Sequence, residues 1–328
     1  MAESANNIAA LMKKIGVLSN PLSRSNLKHL RAIEEYLRTQ NSVCHTRLDV
    51  FADLRSVLQE FSARKIEILV VNGGDGTISA VLTEIYEHEI FEHIPVIAIL
   101  PGGTSNTIAG DVGLKGDRVA ALQRLVDTVT ASTVEAHIQI RPLLSVHYDP
   151  ARPAVVGMFF GTAAICDAIS LRRRIFPQKW IPDALAGALT LAAVLANVVV
   201  GRIEKVLPGR PIEIVSDGET SDGTFSLLMV TTLERIFLRS KPFWGTRNGQ
   251  LRMTAIEQPA PGLVRHAYRL LYGRDKADLP SDFYQSVNAN RIELKMRCPF
   301  NLDGELFQPM ADCPVILTGL VNARFLQC

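Results

Sequence analysis

A chain of 328 residues with 47% hydrophobic and 21% charged side chains carries enough apolar matter for two cores of ordinary size. Its net charge of +2 excludes a general nucleic-acid binder, which carries a larger basic excess. Cys44, Cys166, Cys298, Cys313 and Cys328 show no CxxC spacing. They fit neither a zinc site nor a disulfide framework, and they read as reduced thiols of a cytoplasmic protein.

The segment 1–11 lacks the charged start and long apolar stretch of a signal peptide. Ile15–Leu18 is a short apolar run stopped at Ser19-Asn20-Pro21, a strand followed by a loop. Leu27, Leu30, Ile33 and Leu37 recur at helical spacing, and Leu54, Val57, Leu58 and Phe61 do so again. Ile66–Val71 is a β-branched strand that runs into Gly73-Gly74-Asp75-Gly76-Thr77, after which a helix is expected over Ile78–Glu89. Ile94–Leu100 is a further strand running into Pro101-Gly102-Gly103-Thr104, and a helix over Asp117–Val129 follows. Strands alternating with helices predict a parallel α/β sheet over 1–133.

Beyond Val134 the rhythm changes to short alternating segments at 134–140, 143–148, 155–160, 211–215, 224–232, 251–256 and 291–296. Asp217-Gly218, Asp222-Gly223 and Asn248-Gly249 read as the turns between them. The expectation is a mainly antiparallel β-sandwich domain over 134–310, interrupted by helical stretches at 171–201 and 262–272. The segment 311–328 is expected to return to the first domain. The run Ile181–Val200 approaches membrane-span length, but its Ala and Gly content, its Asp183 and its isolation favour a buried or surface-lying helix. The seven histidines show no paired spacing and read as surface or satisfied residues.

Two glycine turns carry the functional argument. Where a strand ends in glycines and opens a helix, successive backbone N–H groups can converge on a phosphate, and the helix N-terminus adds a favourable dipole. Gly73, Gly74 and Gly76 offer that clearance, and Thr77 suits a helix N-cap. Asp75 could hold Mg²⁺ or accept a proton from an attacking alcohol, or it could be the bend residue of an ordinary turn. The second turn, Gly102-Gly103-Thr104-Ser105-Asn106, follows the next strand, so both loops are expected at the carboxyl edge of one sheet. The pattern is neither a Walker A loop nor a Rossmann G-x-G-x-x-G.

With Asn20-Pro21, the GGDGT turn at 73–77, Leu100–Asn106, Phe160-Gly161 through Asp167-Ala168, Phe243-Trp244-Gly245 and Leu302-Asp303-Gly304-Glu305 in this order, the chain resembles the diacylglycerol kinase catalytic-domain family. That family includes bacterial lipid kinases, sphingosine kinases and ceramide kinases. The resemblance implies an N-terminal α/β domain of the phosphofructokinase and NAD kinase type, a β-rich lipid domain, and ATP with Mg²⁺ in the cleft between them. It places Asn20, Thr46, Gly73, Gly74, Asp75, Gly76, Thr77, Gly103, Thr104 and Asn106 on the nucleotide, with Asp75 also on the metal. Thr46 is expected just after a strand. Glu305 is implied as the general base; Asp75 is the alternative base, and Asp303 either shares the role or serves the turn. Two positions depart from the pattern: Thr107 stands where many members have aspartate, and Asn248, beside Arg247, stands where bacterial members have an aspartate that helps hold a second Mg²⁺.

The function expected is transfer of the ATP γ-phosphate to a hydroxyl of a lipid, such as diacylglycerol or a sphingoid base. An NAD kinase, or a nucleotide- or lipid-binding protein without catalysis, is the rival reading. Arg172, Arg173 and Arg174, followed by Trp180 and the apolar run, suit an anionic membrane surface, and Arg235–Lys241 is a second such cluster. Cytoplasmic location with peripheral membrane contact follows, and a homodimer is compatible with the sequence.

Overall fold

The computed structural model describes residues 13–175, 208–272 and 279–328. They divide into two compact units, Met1–Arg141 with Asn322–Cys328, and Pro142–Val321. The boundaries expected from the sequence are 133/134 and 310/311.

The first unit is built on parallel strands β1 (Ile15–Ser19), β2 (Val43–Arg47), β3 (Ile68–Gly73) and β4 (Val96–Pro101) in the order β2-β1-β3-β4. The last residues of β15 (Val315–Leu326) join β4 in parallel, with Phe325 opposite Ile97. Every residue of β1 and β3 is buried, as a sheet covered on both faces requires. On one face, Ile15, Val17, Ile68, Val70 and Ala98 form a core with Ile33 and Leu37 of α1 (Asn26–Leu37). Leu122 and Leu125 of α5 (Arg118–Thr130) join the same core. On the other face, Gly16 lies against Phe61 of α2 (Leu54–Ala63). Arg55 of α2 is paired at 2.8 Å with Glu84 of α3 (Asp75–Tyr86). Asp117 caps α5 by accepting from the Val119 and Ala120 amides, which fixes where that helix starts. A short helix, α4 (Thr107–Val112), lies between β4 and α5.

The second unit is mainly antiparallel. Val134–His137, still within the first unit, forms a 3-10 turn instead of the expected strand start. The two segments expected at 134–140 and 143–148 merge into one strand, β5 (Ile138–His147). Pro142 lies within it, ahead of the pairing with β6 (Val155–Gly157), which begins at Leu144. β7 (Phe159–Ala163) leads directly into α6 (Ala164–Ile175).

β8 (Arg210–Ser216) and β9 (Glu219–Thr231) form a hairpin through Asp217-Gly218, both with positive φ, as primed hairpin turns require. Asp222-Gly223, expected as a turn, lies inside β9. Its glycine leaves room for the Glu257 carboxylate, which a Cβ at Gly223 would meet at 2.5 Å. β10 (Leu251–Glu257), α7 (Leu263–Tyr272), β11 (Tyr284–Ala289), β12 (Arg291–Lys295), β13 (Phe300–Leu302) and β14 (Glu305–Phe307) complete the unit.

The strand order is β14-β13-β7-β9-β8-β12, with β10 joining β9 to β11. Phe160, Phe225, Leu228, Ile292, Phe300 and Leu317 lie in its core, and the Phe160 and Phe300 rings stack at 5.0 Å. Each such fully buried side chain contributes roughly 1.5–3 kcal/mol.

The apolar run at 181–200 and Trp180 lie outside the described residues, as do the side chains of Arg172–Arg174 at the end of α6. Among the described residues no helix is long and apolar enough to cross a membrane.

Candidate functional site

β3 and β4 pair in register to their last residues, with Gly73 opposite Pro101. The two glycine turns therefore leave the same sheet edge side by side. They touch backbone to backbone. The Gly102 amide donates to the Gly73 carbonyl at 2.8 Å, and a Cβ on Gly103 would stand 2.6 Å from the Gly74 Cα. These glycines thus do more than clear space for a phosphate: they let one loop lie on the other. Asn106, in the left-handed region at φ 47°, closes the second turn by accepting from the Gly103 amide and donating to the Gly103 carbonyl.

The helix after the first turn starts earlier than the apolar periodicity indicates. Gly74 is the N-cap of α3, and Asp75 stands in its first turn. Thr77 is not the cap; its hydroxyl accepts from Asn20 Nδ2 at 2.8 Å. Asp75 is buried, with Oδ2 accepting from Ser105 Oγ at 2.8 Å and the Thr107 amide at 2.9 Å. Its Oδ1 accepts from the Ile108 amide at 3.2 Å.

One carboxylate therefore sits at the N-terminal ends of two helices, α3 and α4, where both dipoles favour an anion. Burial pushes its pKa up, against the pull of the Thr107 amide, the Ser105 hydroxyl and the Ile108 amide. With the Thr107 side chain also hydrogen-bonded to it, four donors are in place and its acceptor capacity is nearly all used. No group of three or more His, Cys, Asp or Glu among the described residues forms a metal cage. A Mg²⁺ in this place would be held chiefly by a ligand's own phosphates and water, with Asp75 acting through those waters.

Beneath the turns runs a polar network that the sequence reading did not single out. Asn26 Nδ2 donates to the Asn20 carbonyl at 2.7 Å and the Asn72 carbonyl at 3.1 Å. Arg118 Nη2 donates to Asn26 Oδ1 at 2.5 Å and Asn72 Oδ1 at 2.9 Å. Asn72 Nδ2 donates to Ser19 Oγ, which also meets His45 Nε2 at 3.1 Å. Burial lowers the His45 pKa, consistent with a satisfied neutral ring. Arg118 has Nε and Nη1 buried without a hydrogen bond, and burial lowers its pKa. A signal for Arg118 existed: a cation in the first turn of a helix opposes the dipole and calls for a specific partner. Thr46 lies within β2, half-buried and opposite Leu18, not after the strand. Thr104 is exposed on the second turn.

In the second unit, Asp303 and Gly304 both have positive φ and form the two-residue turn between β13 and β14. Asp303 is 3% exposed, and its carboxylate accepts from the Met158 and Phe159 amides at 2.9 and 3.0 Å. Gly157 is required beside it, since a Cβ there would stand 2.2 Å from Asp303 Oδ2. Glu305 opens β14 and is exposed. The motif thus holds one carboxylate committed to backbone amides and one facing solvent.

Where the sequence suggested a weakened cation site, Arg247 makes a two-point ion pair with Glu219 at 2.6 and 2.8 Å. Asn288 Nδ2 holds the Gly245 and Arg247 carbonyls. Asn248-Gly249 is not a hairpin turn; a Cβ on Gly249 would stand 2.4 Å from the Ala289 amide nitrogen, so the glycine admits close backbone approach.

The chain is similar in sequence and fold to known proteins. A diacylglycerol kinase of Bacillus subtilis (strain 168) is 23% identical over 303 residues, 90% of each chain. A protein of Enterobacter sp. (strain 638) named "Probable lipid kinase YegS-like" is 32% identical over 108 residues, 33% of this chain and 36% of that one. The crystal structure of a diacylglycerol kinase from Bacillus anthracis str. Sterne shares the fold, with TM-score 0.61 and 15% identity over 96% of this chain and 97% of that one. The model of the diacylglycerol kinase catalytic domain matches residues 14–136, so over that segment the chain is similar to the diacylglycerol kinase catalytic-domain family.

Proposed function

We propose that this protein is an ATP- and Mg²⁺-dependent lipid kinase that phosphorylates a hydroxyl of a membrane-derived lipid, diacylglycerol or a long-chain alcohol of similar reach. The observation that carries this reading is the interlock of the two glycine turns at one sheet edge, with Asp75 joining the first turn to the N-terminus of α4. Backbone amides and helix dipoles held in this way suit the phosphates of a nucleotide. Bound Mg²⁺ would neutralise charge on the transferring phosphoryl group.

In the proposed step the lipid hydroxyl oxygen attacks the γ-phosphorus. The bond from that phosphorus to the β,γ-bridging oxygen breaks, and ADP leaves. The hydroxyl proton passes to Glu305, whose exposed carboxylate is available to accept it. Asp303 serves as a positioning residue, because its carboxylate holds the Met158 and Phe159 amides. Asp75 is assigned to organising the two loops and the metal-bearing phosphates, and Asn20 to fixing Thr77. Peripheral contact with the cytoplasmic membrane surface is part of the same reading, since the acceptor resides in a bilayer.

The test is to incubate the protein, Mg²⁺ and γ-labelled ATP with a panel of lipids and with NAD. Label in the organic phase supports the proposal. Label on NAD would identify an NAD kinase, and nucleotide binding without transfer to any acceptor would identify a binding protein; either result overturns it.

A further inference from the structure

We infer that the outer face of α7, together with the turn at 237–241, is the surface by which this protein docks on an anionic lipid bilayer. The inference rests on the lipid-kinase reading only for the reason such docking is useful. The surface itself is argued from its own residues.

α7 is strongly two-sided. Leu270 is buried in a cluster with Ile256, Ala260, Leu279 and Tyr284, and Leu263 packs against the same cluster. At 100° per residue, Arg265, Tyr268, Arg269 and Tyr272 fall on the opposite side within about one third of the circumference. All four are exposed. Tyr268 is 76% exposed, an unusual position for a large aromatic ring on a helix already anchored in a core. The Tyr268 and Tyr272 rings lie 5.6 Å apart, centroid to centroid. An amphipathic helix normally turns a plain charged face to water; this one presents paired aromatic rings between guanidinium groups.

A second element extends the patch. The Lys241 amide donates to the Leu271 carbonyl at 3.0 Å, which satisfies a carbonyl in the last turn of the helix. The 3-10 turn Phe237–Arg239 is thereby held next to the end of α7. Phe237 is 51% exposed, and Arg239 and Lys241 are exposed beside it. Across 234–241 and 263–272 the chain carries Arg235, Arg239, Lys241, Arg265 and Arg269 against the single acid Glu234.

Charge complementarity selects the occupant. Clustered arginine and lysine favour a surface of anionic headgroups. Tyrosine suits the headgroup level, where one end of the ring is apolar and the other wet, and the Phe237 ring can enter the acyl boundary.

The test uses the full chain with sucrose-loaded vesicles of phosphatidylcholine alone or mixed equally with phosphatidylglycerol. The wild type is expected to sediment with the anionic vesicles only. Arg265→Gln/Arg269→Gln should lower that partition roughly tenfold or more, and Tyr268→Ser/Tyr272→Ser should lower it severalfold, with thermal midpoints unchanged in both. Variants that sediment like the wild type, or a wild type that ignores anionic vesicles, would overturn the proposal. So would sedimentation equilibrium showing that the face instead joins two copies, with dimer in the wild type and monomer in the variants. Phosphate transfer to a water-soluble short-chain diacylglycerol, measured on the same proteins, separates the two readings. Variants that keep this transfer but lose vesicle binding support both. Loss of vesicle binding with no transfer by any protein leaves the docking surface standing and removes the kinase reading.

Discussion

Asp75 opens α3, yet its Oδ2 accepts the amide of Thr107, the first residue of α4, at 2.9 Å. A side chain in one glycine turn therefore caps the helix that follows the other. The family pattern puts aspartate at position 107 in many members. Here Thr107 makes the contact through its backbone amide, and its side chain hydrogen-bonds Asp75 as well.

Asp75→Asn keeps the shape but replaces an acceptor by an amide that must turn one donor toward a neighbouring donor. Phosphate transfer should fall by on the order of a hundredfold or more; near-normal turnover would remove Asp75 from the site. The variant also exposes a pH signature. Burial raises the folded-state pKa of Asp75, so its contribution to stability is fully present below the unfolded value of about 3.9. It is lost as pH rises through the higher folded value. The thermal midpoint of the wild type relative to Asp75→Asn should therefore drop as pH is raised across that window. A constant or rising difference would contradict the burial argument.

Two glycines separate backbone approach from general glycine content. A Cβ at Gly103 would stand 2.6 Å from the Gly74 Cα, whereas a Cβ at Gly110 meets nothing within 4 Å. Gly103→Ala should cost about 1–3 kcal/mol in urea unfolding, through forced separation of the loops, and should weaken ATP binding in calorimetry. Gly110→Ala lies in α4 and should be neutral or stabilising by up to about 1 kcal/mol. Equal behaviour of the two variants would show that the interlock is not tight.

Arg118 ties α5 to Asn26 and Asn72 through one nitrogen, Nη2. Arg118→Met should leave both amide oxygens without that donor, at a cost of about 1–3 kcal/mol by denaturant midpoint. Because Asn72 directly precedes Gly73, the KM for ATP should rise more than kcat falls. Unchanged stability and KM would make Arg118 a bystander.

Much of the first unit was legible because its signals are local. β3 is six buried residues in a row, and an apolar run that ends in glycines reads as a buried strand entering a loop. α4 was not legible, because its cap is Asp75, remote in sequence. The network of Ser19, Asn26, Asn72 and Arg118 was hidden for the same reason: each residue is ordinary among its neighbours, and only folding brings the four together. In the second unit, Asp217-Gly218 announced its hairpin, but Asp222-Gly223 has the same letters and lies inside β9. The difference is the Glu257 side chain against Gly223, which no local pattern carries. At the Asp303-Gly304-Glu305 motif the turn itself was readable. The division of labour between its two carboxylates was not, because it depends on the Met158 and Phe159 amides.

That division gives the sharpest contrast between neighbouring residues. Asp303 is buried and holds two amides, so Asp303→Ala should leave both unsatisfied and cost about 1–3 kcal/mol for each. The loss should appear as a lower thermal midpoint, with any fall in turnover following from it. Glu305 is exposed, so Glu305→Gln should leave the midpoint within about 0.5 kcal/mol of the wild type. Under the proposed proton transfer its kcat should fall by about 10²–10⁴-fold. Nucleotide affinity should stay unchanged, because no nucleotide contact is assigned to Glu305. Turnover that survives in Glu305→Gln, alongside an undisturbed midpoint in Asp303→Ala, would reverse both assignments and return the base to Asp75.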